Sequence, residues 1–90
     1  MTVPNENTIQ TNVDARTLTN WLLDNVSAVL GVQPDEIDVY ERLTEYGMDS
    51  RQFVDLTFEL EELVGCRLPS TLMWDNPSIL ALVKVLTGSN

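Results

Sequence analysis

The sequence contains no histidine and a single cysteine among its 90 residues. Histidine is the commonest general base and the commonest metal ligand in proteins, so its absence argues against an enzyme or a metal protein that works by itself. Cys66 cannot close an intrachain disulfide or build a thiolate metal site, and no histidine is present to activate it. An unpaired thiol fits a reducing compartment such as the cytoplasm. We therefore expect Cys66 to pack as a small hydrophobic residue near a helix end, and any reactive group to come from outside the chain.

Positive charge is also scarce, because five lysines and arginines face 14 aspartates and glutamates and leave a net charge of −9. Such a chain repels nucleic acid and anionic membrane surfaces, so neither is expected as a partner, whereas a protein with a basic patch would be attracted. No apolar run approaches the roughly 18 residues of a membrane span, and the N-terminus lacks a signal-peptide pattern. The 43% apolar content predicts one globular domain, with a monomer as the default.

Composition divides the chain into a polar N-terminal tail at 1–12, a domain at 13–87 and a short C-terminal tail at 88–90. A first helix is predicted to begin at Asp14 and to end at Gly31, a residue that suits the left-handed conformation after a helix. Apolar residues three and four positions apart define its buried side. They are Leu18, Trp21, Leu22, Val26, Val29 and Leu30.

The helical periodicity is lost between residues 32 and 46, which predicts a long connection. Pro34 and the acidic residues after it favour a single helical turn, with proline at the first helical position. We expect Ile37, Leu43 and Tyr46 to anchor the connection by burying their side chains beneath it.

A second long helix is predicted to start at Asp49, where Gln52 completes a capping box, and to stop at Gly65. Pro69 keeps the helix from resuming soon afterwards. Its predicted buried side consists of Phe53, Leu56, Leu60, Leu63 and Val64.

A short helix is expected between Ser70 or Thr71 and Trp74. Asn76 is then predicted to cap a last helix with Pro77 at its first position. The predicted buried side of this helix consists of Ile79, Leu80, Leu82, Val83 and Leu86. Since no segment has the period of a strand, these elements predict an all-α four-helix bundle of three longer helices and one short helix, with a long loop between the first two.

The pentapeptide Tyr46–Ser50 places a hydroxyl group at the start of the second long helix. Backbone amides at that end have no intrahelical acceptor and lie at the positive end of the helix dipole, so an anion such as a phosphate on Ser50 is favoured there. Gly47 suits a tight backbone approach before the cap. An equally good explanation of these five residues alone is that Asp49 or Ser50 only caps the helix.

Together with three later segments, this pentapeptide resembles the acyl carrier proteins and carrier domains of fatty-acid and polyketide synthesis. The resemblance covers roughly residues 14–87 and is carried by Tyr46–Ser50, Val54–Leu56, Gly65–Pro69 and Thr71–Ile79. The second half is more similar to polyketide-synthase carriers than to free-standing fatty-acid carriers. The aspartate before the serine argues against most peptidyl carriers.

The resemblance implies that a covalent 4′-phosphopantetheine arm is attached to Ser50, with Asp49 and Gly47 forming part of the same site. Acyl groups would be carried as thioesters on the thiol of the arm, which supplies the sulfur that this chain does not provide. The protein would then be a non-catalytic substrate of other enzymes. The implied partners are a phosphopantetheinyl transferase, an acyl-loading enzyme (a fatty-acyl-AMP ligase or an acyltransferase), and a ketosynthase or another downstream synthase enzyme.

Arg51 departs from the pattern of the family, which usually has leucine immediately after the modified serine. An arginine places a cation beside the phosphate and removes an apolar contact for partner enzymes. It also resembles carriers that receive fatty chains from fatty-acyl-AMP ligases at the start of hybrid pathways. The alternative is a solvated side chain that pairs with Asp55 four residues later.

Val54 and Phe58 lie four residues apart, outside the predicted buried side and beside a row of carboxylates. If both faced the core, the acidic residues would be forced inward, so we expect at least Phe58 to be partly exposed and to contact partner enzymes. The alternative is that Phe58 packs beneath the 32–46 connection. The predicted partner-binding residues are Met48, Arg51, Val54, Asp55, Phe58, Glu59 and Glu62.

Two other functions are compatible with the sequence. One is a peptidyl carrier of a non-ribosomal peptide synthetase, which has the same fold and arm but an aminoacyl cargo. The other is an acidic helical interaction module without a prosthetic group. Loading assays separate the first from an acyl carrier, and the gain of a single arm excludes the second.

Overall fold

The computed structural model describes residues 13–88, and four α-helices account for most of them. The helices are α1 (Ala15–Leu30), α2 (Ser50–Val64), α3 (Leu72–Asp75) and α4 (Ile79–Thr87). Residues 13–88 contain no strand, only an isolated bridge, so the all-α prediction is confirmed. None of the helices in this range combines the length and the hydrophobicity that a transmembrane segment needs. The predicted tails lie outside the described residues, except for Gly88.

Helix α1 begins and ends at two well-defined caps. Asp14 caps the start of the helix as predicted, and its Oδ1 accepts a hydrogen bond of 2.7 Å from the backbone N–H of Thr17. Gly31 ends the helix in the left-handed region, with φ at 71°. The predicted buried stripe is confirmed at Leu18, Leu22 and Val26, and Trp21 and Leu30 pack against it. Val29, in the last turn, is 41% exposed, so its predicted burial is wrong.

The connection between α1 and α2 is anchored as predicted. A single 3-10 turn at Pro34–Glu36 opens it, and Ile37 and Leu43 are buried. The Tyr46 side chain is half-buried, and its hydroxyl accepts a hydrogen bond of 2.8 Å from the backbone N–H of Asp38. A second 3-10 turn, at Leu43–Tyr46, was not predicted from the sequence. This second turn ends four residues before the start of α2 and so positions that start.

Two backbone hydrogen bonds hold the connection to the start of α4. The N–H of Leu43 donates to the carbonyl of Pro77 over 2.9 Å, and the N–H of Leu80 donates to the carbonyl of Val39 over 3.0 Å. An isolated antiparallel bridge joins Arg42 to Ser78 between them. The connection is therefore fixed to the bundle by its backbone as well as by its buried side chains.

Because of this pairing, α4 starts later in the chain than the sequence analysis predicted. Ser78, and not Asn76, is the N-cap, because its Oγ accepts from the N–H of Ala81 over 3.1 Å and its backbone is extended. Asn76 instead ends α3, with its N–H donating to the carbonyl of Leu72 over 2.9 Å. The prediction of Pro77 at the first helical position is wrong because the extended backbone before α4 is engaged by the connection.

A single core lies between the helices and the connection, with α1 packed on α4 and α3 packed on α2. The predicted buried sides of α2 and α4 are confirmed, except that Leu63 and Leu80 remain half-exposed. The buried apolar residues are Leu18, Leu22, Val26, Ile37, Leu43, Met48, Phe53, Leu56, Leu60, Val64, Leu68, Leu72, Met73, Ile79, Leu82, Val83 and Leu86.

Candidate functional site

Ser50 is the first residue of α2, and its side chain is exposed to solvent. The residue before it, Asp49, is the N-cap. Its Oδ1 accepts from the backbone N–H of Gln52 over 2.9 Å, and Oε1 of Gln52 accepts from the backbone N–H of Asp49 over 3.0 Å. This reciprocal pair is the predicted capping box, and it fixes the direction in which α2 starts.

The cap leaves room for an anion at the same helix end. Asp49 satisfies the third amide of the helix, whereas the amides of Ser50 and Arg51 come earlier and have no acceptor within the helix. The dipole of the 15-residue α2 adds a partial positive charge there. The two sequence interpretations are therefore compatible, because one residue caps the helix and the next presents its hydroxyl group.

The turn before α2 depends on Gly47 and Met48. Gly47 adopts φ 90°, in the left-handed region that favours glycine, and its N–H donates to the carbonyl of Thr44 over 3.0 Å. Met48 is only 4% exposed and belongs to the core. The prediction of Met48 as a partner-binding residue is therefore wrong, because an apolar side chain between the turn and the cap is drawn inward. Its burial anchors the turn beside Ser50.

The outer side of α2 carries the other predicted partner-binding residues, which are Arg51, Val54, Asp55, Phe58, Glu59 and Glu62. We refer to these six residues as the α2 surface, and all of them are exposed. Phe58 is 62% exposed and Val54 is 46% exposed, so the alternative of Phe58 packing beneath the connection is wrong. Val54 and Phe58 therefore place exposed apolar area beside the carboxylates of the α2 surface.

Sequence reasoning missed two features around Phe58. Thr57 is buried within α2, where its Oγ1 donates to the carbonyl of Phe53 over 2.8 Å and so satisfies the polar atom. Glu61 holds the loop at residues 65–71 against α2, because its Oε2 accepts from the N–H of Leu68 over 2.7 Å. This contact could not be predicted from the sequence, because a carboxylate and an amide seven residues apart follow no helical or strand period.

Two grooves flank Phe58. A shallow one of about 500 Å³ is lined by Glu62, Cys66 and Arg67 among others. A smaller, more enclosed one of about 90 Å³ lies between α2 and the 65–71 loop, lined by Val54, Thr57, Phe58, Glu61, Leu68 and Ser70. Cys66 is exposed at the rim of the larger groove. Its predicted packing as a small hydrophobic residue is therefore wrong.

The residues at the start of α2 fit a phosphodiester-linked arm. Ser50 offers an exposed hydroxyl group, the neighbouring amides and the Arg51 side chain tolerate a phosphate, and no bulky core residue covers the position. Across residues 13–88, no cluster of three or more histidine, cysteine, aspartate or glutamate side chains could bind a metal ion.

Comparison with known families agrees with this geometry. The family model described as "Phosphopantetheine attachment site" matches residues 20–86, which include Ser50 and the whole of α2. The chain therefore belongs to the family of carrier domains that bear a covalent 4′-phosphopantetheine on a serine. Domains of this family are generally non-catalytic.

The chain resembles short parts of much larger polyketide synthases. It is 38% identical over 71 residues to a phenolphthiocerol/phthiocerol polyketide synthase of Mycobacterium tuberculosis, a match that covers 79% of this chain and 4% of that protein. It is 38% identical over 72 residues to a polyketide synthase of Streptomyces halstedii, covering 79% of this chain and 1% of that protein. The chain thus spans a few per cent of the length of these relatives.

Solved carrier proteins share the fold. An acyl carrier protein of Anabaena sp. PCC 7120 with a variant phosphopantetheinylation-site sequence superposes with a TM-score of 0.79 at 32% identity, covering 90% of this chain and 91% of that one. A free-standing peptidyl carrier protein from Acinetobacter baumannii superposes with a TM-score of 0.78 at 32% identity, covering 83% and 94%. The four-helix carrier fold is therefore shared by acyl and peptidyl carriers.

Proposed function

We propose that Ser50 is the attachment point of 4′-phosphopantetheine, and that the domain carries acyl groups between enzymes of polyketide or lipid biosynthesis. The observation that carries the proposal is the exposed Ser50 hydroxyl group at the first position of α2, inside the residues that match the attachment-site family. The arm supplies the thiol on which the acyl group is held as a thioester.

The residues around Ser50 have separate roles in this proposal. Gly47 and Met48 fix the turn, and Asp49 fixes the helix start, so the hydroxyl group is presented to a phosphopantetheinyl transferase in one orientation. The free amides of α2 and the guanidinium of Arg51 favour the phosphate that results. The chain itself performs no catalytic step.

The α2 surface is the proposed docking site for the transferase, for the loading enzyme and for a ketosynthase or another downstream enzyme. Val54 and Phe58 provide apolar contact area, while Asp55, Glu59 and Glu62 attract a basic partner surface. Because docking would occur beside Ser50, a bound enzyme would have the arm within reach. The net charge of −9 supports a basic partner surface and not nucleic acid or an anionic membrane.

Loading by a fatty-acyl-AMP ligase is the favoured source of cargo, and an acyltransferase is the alternative. Arg51 supports the ligase, because this chain resembles carriers loaded by fatty-acyl-AMP ligases in having an arginine immediately after the serine. We propose a cytoplasmic location because the single cysteine is unpaired, and a monomer because the chain forms a single domain.

A peptidyl carrier is the second candidate, supported by the likeness to the peptidyl carrier of Acinetobacter baumannii. An acyl cargo is favoured by the polyketide synthases among the sequence relatives and by Asp49 before the serine. Both candidates require the same arm on Ser50 and differ only in the cargo.

A loading assay tests the function. The protein is first armed with coenzyme A and a phosphopantetheinyl transferase, and is then offered a fatty acid with a fatty-acyl-AMP ligase or an amino acid with an adenylating domain. We expect intact mass to show a fatty-acyl adduct that hydroxylamine removes, since hydroxylamine cleaves thioesters. If the protein is loaded by the adenylating domain and not by the ligase, it is a peptidyl carrier. If no arm is attached, the remaining candidate is an interaction module without a prosthetic group.

A further inference from the structure

Tyr46 joins the turn before Ser50 to an earlier part of the connection. It is the last residue of the second 3-10 turn, and its half-buried ring packs against the core. Its hydroxyl group accepts the hydrogen bond of 2.8 Å from the backbone N–H of Asp38. The donor and the acceptor are eight residues apart in the chain, so this bond closes residues 38–46 into a loop.

The donor, Asp38, belongs to a turn that is itself fixed to the bundle. Its Oδ1 accepts from the backbone N–H of Tyr40 over 2.9 Å. The carbonyl of the next residue, Val39, accepts from the backbone N–H of Leu80 in α4 over 3.0 Å. The Tyr46 hydroxyl group is therefore bonded to a segment that α4 holds in place.

The other end of this contact lies beside the proposed attachment point. Tyr46 is followed directly by Gly47, which turns the chain at φ 90°, and Ser50 comes three residues later. Burial of Met48 anchors this turn, but apolar burial has no preferred direction. A hydrogen bond has one. The bond to Asp38 therefore sets the orientation of the turn relative to the rest of the bundle.

We propose that Tyr46 is a positioning residue for transfer of the arm, and that its hydroxyl group keeps Ser50 in the orientation that a phosphopantetheinyl transferase binds. The inference rests on the proposed function, since it requires transfer to Ser50. Without the hydroxyl group, the turn samples several orientations and only a fraction of the molecules presents the serine correctly. Binding to the transferase is weakened by that fraction, while the chemical step in the bound complex is unchanged.

The variant Tyr46→Phe removes the hydroxyl group and keeps the ring that packs against the core. Transfer from saturating coenzyme A is followed by intact mass, at a temperature at which circular dichroism shows both proteins folded. We expect KM for the carrier to rise about fivefold, which is the effect of losing one hydrogen bond of ordinary strength. The kcat should stay at the wild-type value.

Two control variants separate positioning from stability. Tyr40→Phe changes the other tyrosine of the connection, which is 75% exposed, and should leave KM unchanged. Ser27→Ala removes a buried hydroxyl group that donates to the carbonyl of Asp24 over 2.9 Å within α1, and so lowers stability away from the site. If Ser27→Ala raises KM as much as Tyr46→Phe at a similar loss of melting temperature, the effect is one of stability and the inference is wrong.

Amide hydrogen exchange reports the contact itself, and its wild-type measurement does not depend on whether a variant folds. In the wild type, the Asp38 amide should exchange more slowly than an amide of an unstructured chain, because its N–H is bonded to the Tyr46 hydroxyl group. Tyr46→Phe should remove this protection. An unprotected Asp38 amide in the wild type, or equal protection in the two proteins, would contradict the inference.

The kinetic outcomes distinguish the inference from the function on which it rests. If the wild type gains an arm and Tyr46→Phe is armed with the same KM, the inference is wrong and the carrier function stands. A lower kcat with an unchanged KM also overturns the inference, since positioning changes the fraction of molecules that bind. If the wild type gains no arm, the proposed function itself fails.

Discussion

The aromatic ring of Phe58 lies on the outer side of α2, where 62% of the residue is exposed and acidic side chains surround it. A ring in this position buries little area on folding, so it contributes little to the stability of the bundle. Contact with another molecule would remove the same ring from water and would stabilise a complex instead. Phe58 therefore offers a way to separate docking from folding.

The variant Phe58→Ala makes that separation. We expect it to lower kcat/KM for acyl loading by about tenfold, because a central aromatic contact in an interface is worth more than 1 kcal/mol. The melting temperature should change little, since the ring is exposed. Loading kinetics and thermal unfolding of the same preparation check both statements.

Leu60→Ala is the matched control on the same helix. Leu60 is fully buried, so its truncation should reduce the free energy of unfolding by about 2–5 kcal/mol. If Phe58→Ala lowers the melting temperature as much as Leu60→Ala does, Phe58 is structural and the docking proposal is wrong.

The site depends on where the helices start. The caps of α1 and α2 were predicted correctly, and the cap of α4 was not. Asp49 with Gln52 and Asp14 with the turn after it were recognised because the capping residues and their partners lie within a few positions. The start of α4 was not, because the pairing of Leu43 with Pro77 is a contact between distant parts of the chain. Local patterns carry no signal for such a contact.

The variant Ser78→Ala tests the corrected start of α4. Loss of the N-cap hydroxyl group should reduce the free energy of unfolding by about 1 kcal/mol, because the N–H of Ala81 loses its acceptor. Ser70→Ala changes an exposed serine in the loop before α3 and should be close to neutral. Equal effects of the two variants, measured by urea unfolding, would contradict Ser78 as the cap.

The cap of α1 makes stability depend on pH. The hydrogen bond from the backbone N–H of Thr17, aided by its side chain and the charge of Arg16, lowers the pKa of Asp14 below its ordinary value of 3.8. Because the folded pKa is the lower one, the stabilisation is present above the unfolded value and is lost as the pH falls through the folded value.

The variant Asp14→Asn tests this dependence, since asparagine also caps a helix but carries no charge. We expect it to be less stable than the wild type at about pH 7 and equal to it at about pH 2, in urea unfolding. Asp24→Asn removes the same charge from an exposed position within α1 and should not reproduce the pattern. A stability difference that does not change between the two pH values would contradict the account.

At the scale of the whole molecule, the class of fold and the exposed start of α2 were predictable, whereas the packing around the site was not. Four helices and the exposed Ser50 followed from periodicity, caps and the resemblance to carrier proteins. The burial of Met48, the exposure of Cys66 and the Phe53–Trp74 contact depend on how distant segments pack. Packing of this kind is decided in three dimensions, so no local pattern predicts it.

The acidic charge of the molecule should affect docking more than folding. The double variant Glu59→Gln with Glu62→Gln is expected to lower kcat/KM for loading and to flatten its decrease with added salt, because screening acts on the charges that attract the partner. The double variant Asp24→Asn with Asp35→Asn removes the same charge from exposed positions off α2. If both double variants behave alike, the net charge and not the α2 surface is responsible.

The most direct test of the central claim is the intact mass of the protein after exposure to coenzyme A and a phosphopantetheinyl transferase. We expect the wild type and Ser70→Ala each to gain the mass of one phosphopantetheine group, and Ser50→Ala to gain none. An arm on Ser50→Ala, or an unmodified wild type under conditions that modify another carrier protein, would contradict the account.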